Sequence, residues 1–353
     1  MVNKSLGIQI TLIVAIFLLA GCTMNLHPEL VKRGEEFPGS KKCGDCHVDI
    51  YNEWANSLHA QSYVSEEFRI STNDYEFKFC LGCHVPDTIF TPNRTDASLT
   101  EFTEEEIKPR THNLEDGVDC QSCHLTADCV LAGPHSGMGP HPMEKKEEFY
   151  RKSYLCGRCH VETFKEYLAN ADNNHDETCQ DCHMPAVKRK LIQGEPWERL
   201  HKRKEGKAHT FSSLSALENG DDFIVLSFAE LSNNNNQING VLEIRNNMSN
   251  HSIPTGSYGY REALLLINLK NSLGEIIKTK HESIFVEMGT QLKPMEKRKY
   301  PFTFDIDDTD DTDNTDKRAK ELEAIFFRTD FNRTNKVLLA KVESEIKVDS
   351  RQK

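Results

Sequence analysis

Ten of the chain's twelve cysteines lie in five copies of one pattern, two cysteines separated by two residues and followed at once by histidine: Cys43-Gly-Asp-Cys46-His47, Cys80-Leu-Gly-Cys83-His84, Cys120-Gln-Ser-Cys123-His124, Cys156-Gly-Arg-Cys159-His160 and Cys179-Gln-Asp-Cys182-His183. This spacing constrains fold and chemistry together. Two thiols so placed add to the two vinyl groups of one porphyrin, and the next residue then lies beneath the iron with an imidazole nitrogen to offer. A redox-active Cys-x-x-Cys needs no histidine, and paired zinc sites need none at that one offset. Disulfides suit a secreted chain but do not place histidine after every second cysteine. The pattern therefore predicts five covalently attached haem c groups. The ten cysteines are the attachment points, and His47, His84, His124, His160 and His183 are the proximal ligands. Cys129 is left over and reads as a buried or reduced free thiol, with an intermolecular disulfide or a ligand role as the alternatives.

Five porphyrins carried between residues 43 and 183 must lie close to one another and form much of their own hydrophobic core. That expectation fits a chain of 353 residues with only 37% hydrophobic and 28% charged residues. The net charge of −12 argues against nucleic acid as a partner and against a basic membrane-surface mode, and favours positively charged redox partners. Around the motifs the sequence predicts short helices, Asp49 to Ser57 and Lys145 to Arg158, joined by long loops broken at Gly133-Pro134 and Gly139-Pro140. Lys188 to Lys207 is polar and basic and reads as a connecting helix or linker. Beyond it the character changes to eight short apolar runs, at 223–228, 241–245, 263–269, 275–279, 283–287, 300–304, 322–327 and 336–340, with turns at Asn233 to Asn236 and Asn271 to Gly274. The acidic run Asp305 to Asp316 reads as a solvated loop, since the ordered spacing of a calcium loop is missing. The predicted fold is multidomain: a mainly α and irregular multihaem cytochrome domain over 41–210, then an all-β, immunoglobulin-like sandwich over 211–350.

Residues 1–21 read as a lipoprotein signal peptide, with Lys4 as the charged region and a short apolar run from Leu6 to Ala20. The segment ends Leu19-Ala20-Gly21-Cys22, which resembles the bacterial lipobox and places a lipid on Cys22, with 22–40 as an anchoring linker; an ordinary signal peptide with an incidental cysteine, or a short anchor helix, is the alternative. Thr23, where an aspartate is absent, resembles lipoproteins sent to the outer membrane. The chain is therefore expected to be extracytoplasmic, in the periplasm or at the cell surface.

Three stretches carry a family resemblance: Trp54-Ala-Asn-Ser57-Leu-His59-Ala60; Gly117-Val-Asp119 before the third motif with Gly133-Pro134-His135 after it; and Cys182-His183-Met184-Pro185. They are similar to the cytochrome c-554 family, related in haem packing to hydroxylamine oxidoreductases and pentahaem nitrite reductases. The resemblance covers roughly residues 40 to 210. It departs in one respect: the type member has four haems and this chain has five motifs. His251-Ser-Ile-Pro254-Thr255-Gly256 is similar to a motif in sandwich domains appended to other bacterial multihaem cytochromes.

The resemblance implies that histidines outside the motifs close the second face of each iron, usually on a haem other than the one nearest in sequence. Five stand out: His59, His112, His135, His175 and His209. Each has a plainer reading as a surface or hydrogen-bonding histidine. His141, His201 and His251 are reserves, His27 and His281 read as solvent-exposed, and Met138, Met143 and Met184 are alternative donors that would raise the potential. The count permits five bis-histidine haems, which favours a membrane-anchored electron carrier working with other redox proteins or within a respiratory complex. The alternative is a reductase or oxidase of a small nitrogen or sulfur compound, which needs one open haem. No motif here replaces its histidine by lysine, as pentahaem nitrite reductases commonly do at the active haem. A subunit of a cytochrome filament is a third reading, against which the lipid on Cys22 argues.

Overall fold

A computed structural model of the chain describes residues 26–90, 107–135, 139–170, 177–194, 197–211, 223–234, 237–248, 250–256, 261–306, 319–329 and 336–346. The signal peptide, Cys22, Met138, His175 and most of the acidic run lie outside the described residues. No helix among the described residues is long and apolar enough to cross a membrane. The chain divides into two compact units. One comprises the chain up to Cys159 together with Thr178–Phe211, and the other comprises His160–Glu177 together with the chain from Ser212.

The first unit is built on short helices: α1 Ser40–Gly44, α2 Val48–Ala55, α3 Glu66–Ser71, α4 Leu81–His84, α5 Cys120–His124, α6 Glu147–Tyr150, α7 Tyr154–Gly157, then, past α8 of the other unit (Val161–Ala169), α9 Cys179–His183 and α10 Trp197–Leu200. Helices this short are unstable by themselves, so their ends must be fastened by side chains. Asp119 and Ser122 form a capping box on α5, and Thr178 and Asp181 form one on α9. The helix expected from Asp49 to Ser57 is α2. The one expected from Lys145 to Arg158 is instead two, α6 and α7. The carbonyls of Tyr150 and Lys152, which a continuous helix would use internally, accept from Gln180 Nε2 of α9 at 3.1 and 2.9 Å. Lys188 to Lys207 is likewise not a connecting helix. Strands β3 (Ala186–Arg189) and β4 (Lys204–Lys207) pair antiparallel, and Lys188 meets Glu205 across the ribbon at 2.8 Å. Leu131–Gly133 and Met143–Lys145, β1 and β2, form a small parallel pair.

The second unit carries two antiparallel sheets. One has the order β11-β10-β7-β8 (Lys336–Glu345, Ala319–Thr329, Glu262–Asn271, Ile276–Phe285), and the other the order β5-β6-β9 (Ile224–Asn234, Gln237–Asn246, Lys297–Asp305). The eight expected strands become seven because two of them merge into β8. Lys280, His281 and Glu282 continue the pairing with β7 at the sheet edge, where polar side chains meet water. At the predicted turn after Asn271, its Oδ1 accepts the N–H groups of Leu273 and Glu275 at 3.0 and 2.9 Å, and Gly274 takes φ +81°. The predicted turn at 233–236 starts too early, since Asn233 and Asn234 still pair as strand with Ile238 and Gln237.

The two units draw their cores from different sources. Among the described residues, nineteen buried ones from both sheets and the loops beside them, Leu242, Ile244, Phe302, Leu265 and Phe326 among them, share one apolar cluster. The cluster in the first unit has three, Ile89, Ile107 and Phe149, bordered by the motif cysteines Cys123 and Cys159.

One buried carboxylate in the second unit yields a test. Glu323 accepts from Asn268 Nδ2 at 3.0 Å, Lys270 Nζ at 2.6 Å and Lys341 Nζ at 2.9 Å. Burial would raise its pKa, but these donors outweigh burial and hold it at about 2, below its ordinary 4.5. The stabilisation is therefore full above the ordinary value and is lost as the pH falls through about 2. Glu323→Gln is expected to destabilise the protein at pH 7 by about 1–3 kcal/mol, with the gap to the parent closing between pH 4.5 and 2. Denaturant melts across that range check it, and a gap independent of pH contradicts it.

Candidate functional site

The five motifs are not five independent turns. The first and fourth share a pattern longer than the motif itself: Ser-x-x-Cys-Gly-x-Cys-His-Val-[Asp/Glu]-x-[Tyr/Phe]-x-Glu-[Trp/Tyr], from Ser40 to Trp54 and from Ser153 to Tyr167. The third and fifth share Cys-Gln-x-Cys-His, and the structure pairs each with one of the first set by matching bonds. Ser40 Oγ accepts the Cys120 N–H at 3.5 Å, and Ser153 Oγ accepts the Cys179 N–H at 3.0 Å. Trp54 Nε1 donates to Val118 O at 2.8 Å, and Tyr167 OH donates to Glu177 O at 3.0 Å, each carbonyl two residues before the partner motif. Cys43 lies close to Cys120, and Cys156 close to Cys179. Reading for motifs alone missed this duplication, although the shared flanking pattern was in the sequence.

The remaining attachment points join the same network. Cys83 of the second motif lies close to Cys159 of the fourth, and Cys123 of the third lies near Cys156 and Cys159. Burial pushes the Cys123 thiol up to about 12. The first motif is thus coupled to the third, the third to the fourth, and the fourth to the second and fifth. Among the described residues, no three His, Cys, Asp or Glu side chains gather around a point that could hold a bare metal ion. What the motifs bring together is thiol with thiol.

Three of the five motif histidines are held in a definite tautomer. Nδ1 of His47 donates to Leu191 O at 2.6 Å, that of His84 to Ser62 O at 2.7 Å, and that of His124 to Ala132 O at 2.7 Å. A proton fixed on Nδ1 leaves the Nε2 lone pair for a metal and sets the ring's orientation. Burial lowers the pKa of His47 and His124, so both rings are neutral near pH 7. His84 also stacks on Phe68, and His124 on Tyr150, whose hydroxyl donates to Cys123 O at 2.7 Å.

His209 meets the third motif and not the fifth, which is nearer in sequence. Its ring centroid lies 6.3 Å from that of His124. An imidazole nitrogen binds such a metal at about 2 Å, so two axial ligands hold their nitrogens about 4 Å apart. The rest of each ring adds about 1 Å on either side, which gives the observed separation. His209 Nδ1 donates to Lys207 O at 3.1 Å, and burial followed by the neighbouring His124 lowers its pKa to about 4.

The other named histidines are spread through the first unit. His59 is half-buried with its ring edge-on to Phe211 at 4.1 Å, and its carbonyl accepts the Val118 N–H. His112 lies 4.0 Å from Glu35, and the Arg110 guanidinium holds its carbonyl. His135 donates from Nε2 to Glu205 O at 2.8 Å, which leaves Nδ1 as its free-lone-pair nitrogen. The reserves His201 and His141 act electrostatically with His47, near the first motif. His251 lies in the second unit with Nδ1 against Ser252 O at 3.0 Å. Met143 is exposed, and Cys129 is half-buried at φ +58°.

Two thiols on one turn and a neutral imidazole with Nδ1 already bonded are the donor set of a c-type haem, and these residues fit it. The comparisons agree at the level of the fold. Residues 42–125 match the family model described as cytochrome c554 and c-prime. The structure is similar to a penta-haem cytochrome c552 from Thermochromatium tepidum, with 18% identity over 87% of this chain and 98% of that one and a TM-score of 0.57. A putative beta-galactosidase from Bacteroides fragilis aligns with 36% of this chain at a TM-score of 0.20 and 10% identity, covering 16% of that chain. No curated protein matches in sequence. Replacing His209 by Ala is expected to leave the number of attached haems unchanged and to convert one from low-spin to high-spin, restored by added imidazole. An electron paramagnetic resonance spectrum identical to the parent's contradicts the pairing of His209 with His124.

Proposed function

We propose that this multihaem c-type cytochrome carries five haems and serves as an electron carrier between redox partners outside the cytoplasm, held at a membrane by lipid on Cys22. The observation that carries the reading is the 6.3 Å separation of the His124 and His209 ring centroids, the spacing that two axial imidazoles would require. A site closed on both faces has no position for a substrate. Haem, when bound, supplies a reversible one-electron couple. The chain's own residues bury His47, His124 and His209, which keeps those imidazoles neutral, fix the tautomers of His47, His84 and His124 with main-chain carbonyls, and bring attachment cysteines of different motifs close together. The two antiparallel sheets, with their shared core, support the reading of the second unit as an immunoglobulin-like sandwich that serves as a packing or docking module. Haem packing of the kind found in hydroxylamine oxidoreductases belongs to the same reading, supported by the match over 42–125. The lipobox Leu19-Ala20-Gly21-Cys22 supports a lipoprotein, directed by Thr23 to the outer membrane. The acidic surface favours basic redox proteins or a respiratory complex as partners.

Reductive titration of the purified protein is expected to show five electrons taken up per chain and returned to an oxidised acceptor protein, with no consumption of nitrite or hydroxylamine. Turnover of such a compound by the protein alone overturns the carrier reading. Cys22→Ala is expected to move the protein from the membrane to the soluble fraction, and retention on the membrane contradicts the lipid anchor.

A further inference from the structure

Two arginines of the first unit show how a guanidinium is accommodated there. Arg110 gives its donors to the carbonyls of Pro86, His112, Asn113 and Gly117. Arg189 holds both carboxylate oxygens of Glu53 at 2.8 Å. Arg158 differs from both. It stands inside the fourth motif, between Cys156 and Cys159, and is 9% exposed. Its Nε and Nη2 are buried and have no hydrogen-bond partner among the described residues. A guanidinium keeps its charge at any pH a protein meets, so it cannot escape burial by losing a proton. Leaving such a charge buried and unpaired is strongly destabilising.

The motif itself does not call for arginine. In the matching first motif the same place holds Asp45, which is exposed and paired with Lys42 at 2.8 Å. In the fifth motif it holds Asp181, exposed and paired with Lys207 at 2.6 Å. Only the fourth copy turns this place inward with a charge on it. The Arg158 guanidinium lies near the Cys159 sulfur, where Cys83 and Cys123 also gather, so it stands where three motifs meet within the first unit. The other buried side-chain atoms without a partner among the described residues are Asp119 Oδ2, Gln180 Oε1 and Gln193 Oε1. They too lie in the first unit. The sheets, whose core is made of side chains, leave no such atom among the described residues.

Nε and Nη2 lie along one edge of the guanidinium, and their N–H groups form the fork that matches the two oxygens of a single carboxylate. Every haem c carries a pair of propionate carboxylates. We propose that Arg158 is a haem-propionate site, its Nε and Nη2 holding both oxygens of one propionate. The inference rests on the reading of the chain as a haem-bearing carrier and adds to it a residue that tunes the carrier. A positive charge at the propionate favours the ferrous haem, which has one positive charge fewer than the ferric, so the pair raises that haem's potential.

The test uses the full chain carrying haem labelled with a heavy carbon isotope in the propionate carboxyls. Haems are counted by mass spectrometry, potentials are measured by spectroelectrochemistry, and carboxylate stretches are followed by infrared difference spectroscopy. Arg158→Gln is expected to keep every haem attached, to shift one isotope-sensitive carboxylate band, and to move one haem's equilibrium about tenfold toward the ferric state. Arg158→Lys keeps the charge and is expected to restore most of the potential but not the band, since an ammonium does not match both oxygens. Arg151→Gln, which removes an exposed arginine paired with Glu147, is expected to move neither. An Arg158→Gln protein with all haems attached and its labelled bands unchanged overturns the proposal. So does a shift confined to unlabelled bands, which would make the partner a protein carboxylate. If Arg158→Gln fails to attach its haems, a labelled band identical in Arg158→Lys and the parent overturns it, and a shifted band supports it. A parent protein with no attached haem would instead sink the carrier reading beneath it.

Discussion

The hydrogen bond from histidine Nδ1 to a main-chain carbonyl decides what the first three motifs can do. A free imidazole tumbles between tautomers and offers either nitrogen. Once Leu191, Ser62 or Ala132 takes the Nδ1 proton, the ring points Nε2 in one fixed direction. Those carbonyls come from segments far from the motif or just beyond it, so each motif is tied to the fold around it. Partners of this kind are worth about 10–100-fold in metal affinity in other sites. Here the bond from His47 to Leu191 O also fastens the segment that follows β3.

The same logic accounts for the division of the chain into two units. The sheets bury a full complement of leucine, isoleucine and phenylalanine and need nothing else. The haem-bearing unit has few such side chains and is held by polar fastenings: the capping boxes of Asp119 and Thr178, the glutamine clamps of Gln121 and Gln180, and the hub of Arg110, which donates to the carbonyls of Pro86, His112, Asn113 and Gly117. Gln121 and Gln180 stand at the same place in duplicated motifs, and each donates twice to carbonyls of a preceding segment. These bonds specify position rather than supply bulk, which suits a unit whose apolar volume comes from porphyrin.

Legibility in the sequence followed the range of the interactions. The motifs, α2 and most strands were readable because their signals are local: fixed spacing, a short amphipathic run, alternating apolar residues. The split between α6 and α7 was not, because its cause is Gln180, nearly thirty residues away. The ribbon of β3 and β4 was hidden in the same way, since basic residues alternate there only because Glu205 and Glu53 answer them. The pairing of His209 with the third motif depends on a return of the chain that no spacing encodes. The duplication was legible in principle, because Ser40 to Trp54 and Ser153 to Tyr167 align without a gap.

Low-temperature electron paramagnetic resonance of the oxidised, purified full-length protein, integrated per haem, tests the central claim most directly. The carrier reading predicts that every ferric haem is low-spin and that nitrite, hydroxylamine and cyanide leave the spectrum unchanged. A high-spin signal that shifts on adding one of these ligands would show an open iron, and the protein would then be an enzyme rather than a carrier.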